Sequence, residues 1–138
     1  MITLSVVVVL YNEFALVKKT LSSIYRSRFG NMEVILVDNS SDKKGHGSVL
    51  EKFPKTKYIQ NKKDLGFGRA VNVGIKLAKG EFILVLTPDM YLLPGTIKKL
   101  FLYIRSHRDV GLVGGRVFSS PRMQEPSVVS RYPGLLTQ

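Results

Sequence analysis

No cysteine occurs in the 138 residues. Disulfides, a thiolate metal site and a thiol nucleophile are therefore all excluded. No apolar run is long enough to cross a bilayer; the one at Leu4–Leu10 is strand-sized. The start, Met1-Ile2-Thr3, puts no basic stretch ahead of that run, so a secretory leader is not expected. Repeats and low-complexity segments are missing as well, and the length suits one domain with a real core. Acidic residues are scarce: 10 Asp+Glu stand against 21 Lys+Arg, a formal net charge of +11. That imbalance attracts phosphate-bearing partners, whether nucleotide, nucleic acid or anionic lipid headgroup. The basic residues are spread over several segments, and about two-thirds of them are expected to be plain solvated surface.

What is present is an alternation. Leu4 to Leu10 is dominated by β-branched residues and stops at Tyr11-Asn12-Glu13, the pattern of a strand buried on both faces. Leu16, Val17, Thr20, Leu21 and Ile24 then recur at helical spacing, with Lys18, Lys19, Arg26 and Arg28 facing away. Glu33 to Val37 reads as a second strand, ending in Asp38-Asn39-Ser40-Ser41-Asp42, a cluster suited to turns and helix caps. Ser48 to Phe53 reads as a helix, Lys57 to Gln60 as a short strand, and residues 67–79 as a helix stopped at Gly80. Phe82 to Leu86 reads as a buried strand. Pro94 suits a helix start, with the helical pattern continuing from Thr96 to His107. Val110 to Val113 reads as one more strand, before a loop-like tail rich in Ser, Pro and Arg. Strands alternating with helices predict the α/β class, with a parallel sheet covered on both faces.

The stretch from Asn61 to Asp89 carries most of the chemistry. A glycine-rich turn, Gly66 and Gly68, precedes a helix and leaves backbone N–H groups free for phosphate oxygens. The strand Phe82–Leu86 then delivers Thr87-Pro88-Asp89 to its C-terminal end, where open α/β sheets place ligand groups. Together these features suggest a nucleotide-diphosphate site. Each residue also has a plainer reading. Asp38 caps a following helix as readily as it binds a base. The two glycines serve a tight turn, and Asn72 is an ordinary solvated helix position. Asp89 caps a short turn, and Lys62 and Lys63 are a solvated pair. Phe67 and Tyr91 pack, His46 lies in a loop, and His107 complements a helix C-terminus.

The blocks SVVVVLYNE, EVILVDNSSD and NKKDLGFGRAVNVGIKLAKGEFILVLTPDM, in that order, resemble family 2 glycosyltransferases with the GT-A fold. They are most similar to the rhamnosyltransferase-like branch, which reads N-x-G-F-x-x-x-x-N-x-G and then a strand ending in Asn-Pro-Asp. The resemblance covers almost the whole chain. It implies a three-layer α/β/α architecture with a mostly parallel, Rossmann-like sheet, residues 1–118 binding a nucleotide-sugar donor and 119–138 leading toward an acceptor half. It also implies roles. Leu10, Tyr11 and Glu13 line the base pocket, and Asp38 hydrogen-bonds a pyrimidine. Asn61, Gly66 and Asn72 surround ribose and diphosphate. Thr87 and Asp89 stand where the family's Asp-x-Asp-type motif holds Mg2+ or Mn2+, with Asp89 the metal ligand.

Two departures qualify the resemblance. Thr87 replaces the first acid of the metal motif, so one carboxylate is offered instead of two. The chain also ends where the family's catalytic base is expected; the acids after Asp89 are Asp109 and Glu125, and Glu125 is the weak candidate of the two for a base. The expectation is thus a donor-binding portion, inactive alone, taking a UDP- or dTDP-linked sugar for a saccharide or lipid-linked acceptor. It is expected in the cytoplasm, at the inner face of an anionic membrane, with no specific nucleic acid. Two rivals remain open. A dinucleotide-binding oxidoreductase would use Gly66 and Gly68 with Asp89, although Val71 fills the third glycine position. A non-enzymatic basic module would bind nucleic acid or membrane in a strongly salt-dependent way.

Overall fold

The computed structural model describes residues 1–40, 46–120 and 123–124. The elements run β1 (Leu4–Leu10), α1 (Phe14–Arg26), β2 (Met32–Asp38), α2 (His46–Lys52), β3 (Thr56–Gln60), α3 (Phe67–Leu77), β4 (Phe82–Leu86) and α4 (Thr96–Ser106). A short hairpin, β5 (Phe118–Ser120) and β6 (Met123–Gln124), follows in the segment that reads as loop from sequence.

The four main strands form one parallel sheet in the order β3-β2-β1-β4. The first two crossovers step outward from β1 through β2 to β3. The third jumps back across the sheet to place β4 on the far side of β1. Right-handed crossovers then put helices on opposite faces. α1, α2 and α4 share one core with Val6, Val8, Leu10, Val34 and Leu36. α3 alone covers the other face through Val7, Val9, Ile35 and Val37. The all-apolar run of β1 follows from this, because each of its alternating faces meets a helix. Val6, Val7, Val8 and Leu10 are wholly buried, each contributing about 1.5–3 kcal/mol of apolar transfer.

α3 lies close on the sheet because of Gly74. A Cβ at that position would fall inside van der Waals contact with Val7 Cγ1 and 3.2 Å from Val37 Cγ2. The close approach fixes how α3, and hence its N-terminus, stands over the ends of β1 and β2.

Two sequence expectations change here. β4 is not buried on both faces: Ile83 is 40% and Val85 37% exposed. It is an edge strand, and α3 packs chiefly on β1 and β2, so one face of β4 stays partly open. Val110 to Val113 does not form a strand. It lies along β4 and α4 across an open groove. Gly111 inside it and Gly114-Gly115 behind it weaken an extended segment that has no ladder partner. No helix among the described residues is long and apolar enough to cross a membrane.

Candidate functional site

The switch in direction between β1 and β4 opens a crevice outside the carboxyl ends of the strands, the general location of ligand sites in open α/β sheets. A cleft of about 300 Å³ lies there, lined by Val9, Tyr11, Glu13, Asn39, Asp64, Gly66, Phe67 and Pro88. Four chain segments that are distant in sequence therefore meet at one place.

From β1 come Leu10, Tyr11 and Glu13. Leu10 is buried, and its carbonyl accepts the Asn39 N–H at 2.8 Å. Tyr11, half-exposed, and Glu13 line the cleft directly. Asn12 between them adopts a left-handed φ of 57°, a conformation that asparagine tolerates. Its N–H donates to Ser40 Oγ at 2.7 Å, tying the ends of β1 and β2 together.

From β2 come Asp38 and Asn39, which face opposite ways because the strand alternates. Asp38 is on the α1/α2 side and fully buried. Its Oδ1 accepts the Ser40 N–H at 2.8 Å and its Oδ2 the Tyr58 hydroxyl at 2.5 Å. Burial first, then the hydrogen bond and charge of Asp38, push the Tyr58 phenol well above its ordinary value. The Tyr58 ring also stacks on His46, 5.5 Å between centroids. Asn39 is the residue of this pair that lines the cleft. Its Oδ1 accepts from Asn61 Nδ2 at 3.0 Å and from the Leu65 N–H at 3.1 Å, while its Nδ2 donates to Asp64 Oδ1.

Asp64 in turn accepts the Gly66 N–H at 2.8 Å. Gly66, at φ 73°, caps α3 with no side-chain hydrogen bond. A left-handed cap of this kind favours glycine. The Ala70 N–H closes onto the Gly66 carbonyl. The first-turn N–H groups of Phe67, Gly68 and Arg69 thus have no intrahelical acceptor, and the positive end of the helix dipole stands at the cleft. Asn61 joins the network through its own N–H to the Asp38 carbonyl at 2.8 Å. Asn72 does not join it. It is exposed on α3, away from Ala70 and Gly74, which face the sheet.

From β4 come Thr87, Pro88 and Asp89. The Thr87 hydroxyl donates to Asp89 Oδ1 at 2.5 Å, with Asp89 exposed. The Pro88 carbonyl accepts the Thr20 hydroxyl at 2.6 Å, which anchors this turn to α1. Among the described residues no three His, Cys, Asp or Glu gather to hold a metal ion. One carboxylate and one hydroxyl, both hard oxygen donors, do fit a cation that is shared with phosphate oxygens, the usual arrangement for Mg2+.

Of the residues singled out from sequence, Leu10, Tyr11, Glu13, Asp38, Asn61, Gly66, Thr87 and Asp89 stand in or immediately behind the cleft, and Asn72 stands apart. Glu125, Ser41 and Asp42 lie outside the described residues. Asn39 as a hub and Asp64 as its partner are not evident from the sequence pattern. Asp64 carries two signals: it lies two residues before a glycine that opens a helix, the spacing of an Asx-type turn, and it stands at the first position of the N-x-G-F-x-x-x-x-N-x-G pattern with Asp in place of Asn.

The family model described as glycosyl transferase family 2 matches residues 5–135. An uncharacterized glycosyltransferase of Methanocaldococcus jannaschii, MJ1057, is 32% identical over 119 residues, 83% of this chain and 41% of that protein. Among solved structures, residues 1–349 of S. aureus TarS match with a TM-score of 0.68 at 26% identity, covering 86% of this chain and 40% of the other. TarS 1–349 has also been solved in complex with UDP. The mannosyltransferase PcManGT of Pyrobaculum calidifontis, solved with GDP-Man and Mn2+, matches with a TM-score of 0.67 at 21% identity, covering 73% of this chain and 32% of that one. That likeness is one of fold. The chain spans 35–41% of the length of the first three curated relatives it matches.

Proposed function

The chain belongs to glycosyl transferase family 2, and from that premise we propose that its cleft binds the nucleotide of a nucleoside-diphospho-sugar, UDP- or dTDP-linked, whose sugar passes to a saccharide or lipid-linked acceptor. The observation that carries this reading is the cleft itself, bounded on one side by the uncapped α3 N-terminus and on the other by the Thr87–Asp89 turn. A diphosphate needs donors for its oxygens and a counter-charge, and these two edges offer both.

Base selection falls to the Asp38–Asn39 corner. A carboxylate accepts from the N3–H of uracil or thymine, whereas N1 of adenine has no hydrogen to give. Asp38 keeps spare lone pairs beyond the two bonds it accepts, while the Asn39 amide oxygen is already filled by Asn61 and Leu65 and only an amide N–H remains for the cleft. Asp89, with Thr87, would hold Mg2+ or Mn2+, which when bound neutralises charge on the departing diphosphate. The chain's own residues do the rest. The α3 N–H groups orient the phosphates, Tyr11 and Phe67 shield the nucleotide from water, and Asp64 holds the Gly66 turn in place.

Calorimetry with UDP, dTDP, ADP and GDP, with and without Mn2+, tests the reading. UDP and dTDP should bind more tightly than ADP, with GDP, whose N1–H can also reach a carboxylate, showing whether pocket shape adds to the selection, and Mn2+ should strengthen binding. Equal affinity for all four removes the Asp38–Asn39 corner from base selection. No binding by any nucleotide removes the function.

A further inference from the structure

We propose that the face formed by α1, the loop at residues 90–95 and α4 is a docking surface for an anionic lipid bilayer. Residues 14–28 and 90–108 together hold eight Lys or Arg and no Asp or Glu, with Glu13, Asp89 and Asp109 at the ends of these stretches. α1 and α4 sit on the same side of the sheet and share one core cluster. Phe29, just after α1, packs edge-on against Phe101 of α4 with ring centroids 5.1 Å apart. The loop between β4 and α4 is laced across α1. The Leu92 N–H donates to Ser23 Oγ at 3.1 Å, and Arg26 Nη1 donates to the Tyr91 hydroxyl at 3.4 Å. These segments therefore present one surface.

Large apolar side chains stand out from it. Leu93 is 57%, Tyr91 54%, Leu102 50% and Tyr103 49% exposed. On α4, Ile97 points into the core, while Lys98, Lys99 and Arg105 are exposed around Leu102. Aliphatic and tyrosine side chains set among cations suit a headgroup interface: the apolar groups enter the acyl boundary and the cations meet anionic headgroups. Nucleic acid would use the same cations but gains nothing from Leu93 and Leu102. Tyr91 and Leu93 also lie on the loop that carries Asp89. On the donor-binding reading, which docking itself does not require, a docked chain holds its cleft beside the lipid surface.

Sedimentation with phosphatidylcholine vesicles, with and without phosphatidylglycerol, tests the assignment. The chain should bind only the anionic vesicles, and added NaCl should release it. Lys98→Glu/Lys99→Glu should weaken binding by at least about 25-fold, about fivefold for each cation lost, with the added carboxylates increasing the loss. A control of equal charge change, Lys76→Glu/Lys79→Glu, lies on and just after α3, which covers the opposite face of the sheet, and should cost less than about threefold. The chain has no tryptophan, so Leu102→Trp gives a single reporter whose emission should shift blue on anionic vesicles, while Ile75→Trp on α3 should not shift. Equal losses in the two charge-reversed pairs overturn the assignment. So do equal binding to neutral vesicles, an unshifted emission from the Leu102→Trp variant, or binding to duplex DNA or RNA without vesicle binding.

Discussion

Asn39→Ala strikes the centre of the site without touching the hydrophobic core. The Asn39 side chain is 3% exposed and makes three hydrogen bonds: from Asn61 Nδ2, from the Leu65 N–H, and to the Asp64 carboxylate. The two neutral bonds contribute about 1 kcal/mol each, net of water. The bond to Asp64 would be worth more in a buried setting, but Asp64 is exposed, and solvent discounts it to well under about 1 kcal/mol. The loss should come to about 2–3 kcal/mol. With a urea slope of about 2 kcal/mol/M, the unfolding midpoint should fall by about 1–1.5 M at unchanged slope. Asp64→Ala alone should cost less, and the pair should be non-additive by about 0.5–1 kcal/mol. Nucleotide affinity should fall in both single variants, because each frees the Gly66 turn. A loss below about 0.5 kcal/mol for Asn39→Ala, or strict additivity, would refute the network as the element that holds this turn.

Gly74→Val should cost about 1–3 kcal/mol or more through overpacking against Val7 and Val37, read as a lowered urea midpoint. Gly68→Ala, at an open position, should be nearly neutral in the same assay. Tyr58 should resist alkaline titration, because burial and Asp38 raise its folded pKa. The sign follows: Tyr58 contributes stability in full below its unfolded pKa of about 10 and loses it as pH rises through the folded value. Asp38→Asn should lower that pKa in a titration followed by tyrosinate absorbance, and an unchanged profile would contradict the contact. Asp89→Asn should abolish Mn2+ enhancement of nucleotide binding and leave the unfolding free energy within about 0.5 kcal/mol of the parent, as expected for an exposed position.

Much of this was legible in the sequence because hydrophobic period and glycine placement act locally. The β-branched run at Leu4–Leu10, the helical spacing from Leu16 to Ile24 and the glycine turn at Gly66 each announce their element directly. β4 was legible as a strand but not as an edge. Five apolar residues look the same whether one helix or two cover them, and the exposure of Ile83 and Val85 depends on where α3 crosses. Val110 to Val113 carried strand-forming residues, but the open groove separates them from the free edge of β4. The site divided in the same way. Strand-end residues such as Asp38 and Asp89 were visible, because a strand's end is a sequence feature. The facing of Asn72 away from the sheet and the hub role of Asn39 depend on the orientation of one helix and one turn, which only tertiary packing sets.

On this reading the crevice between the ends of β1 and β4 receives a nucleoside diphosphate. Titrating the isotope-labelled chain with UDP and Mg2+, while following its backbone amides by NMR, tests it most directly. Shifts should concentrate at residues 11–13, at Asn39, at residues 64–69 and at residues 87–89, with the exposed face of β4 at Ile83 and Val85 unmoved. Shifts gathered instead along the groove between β4 and α4, or none at all, would contradict it.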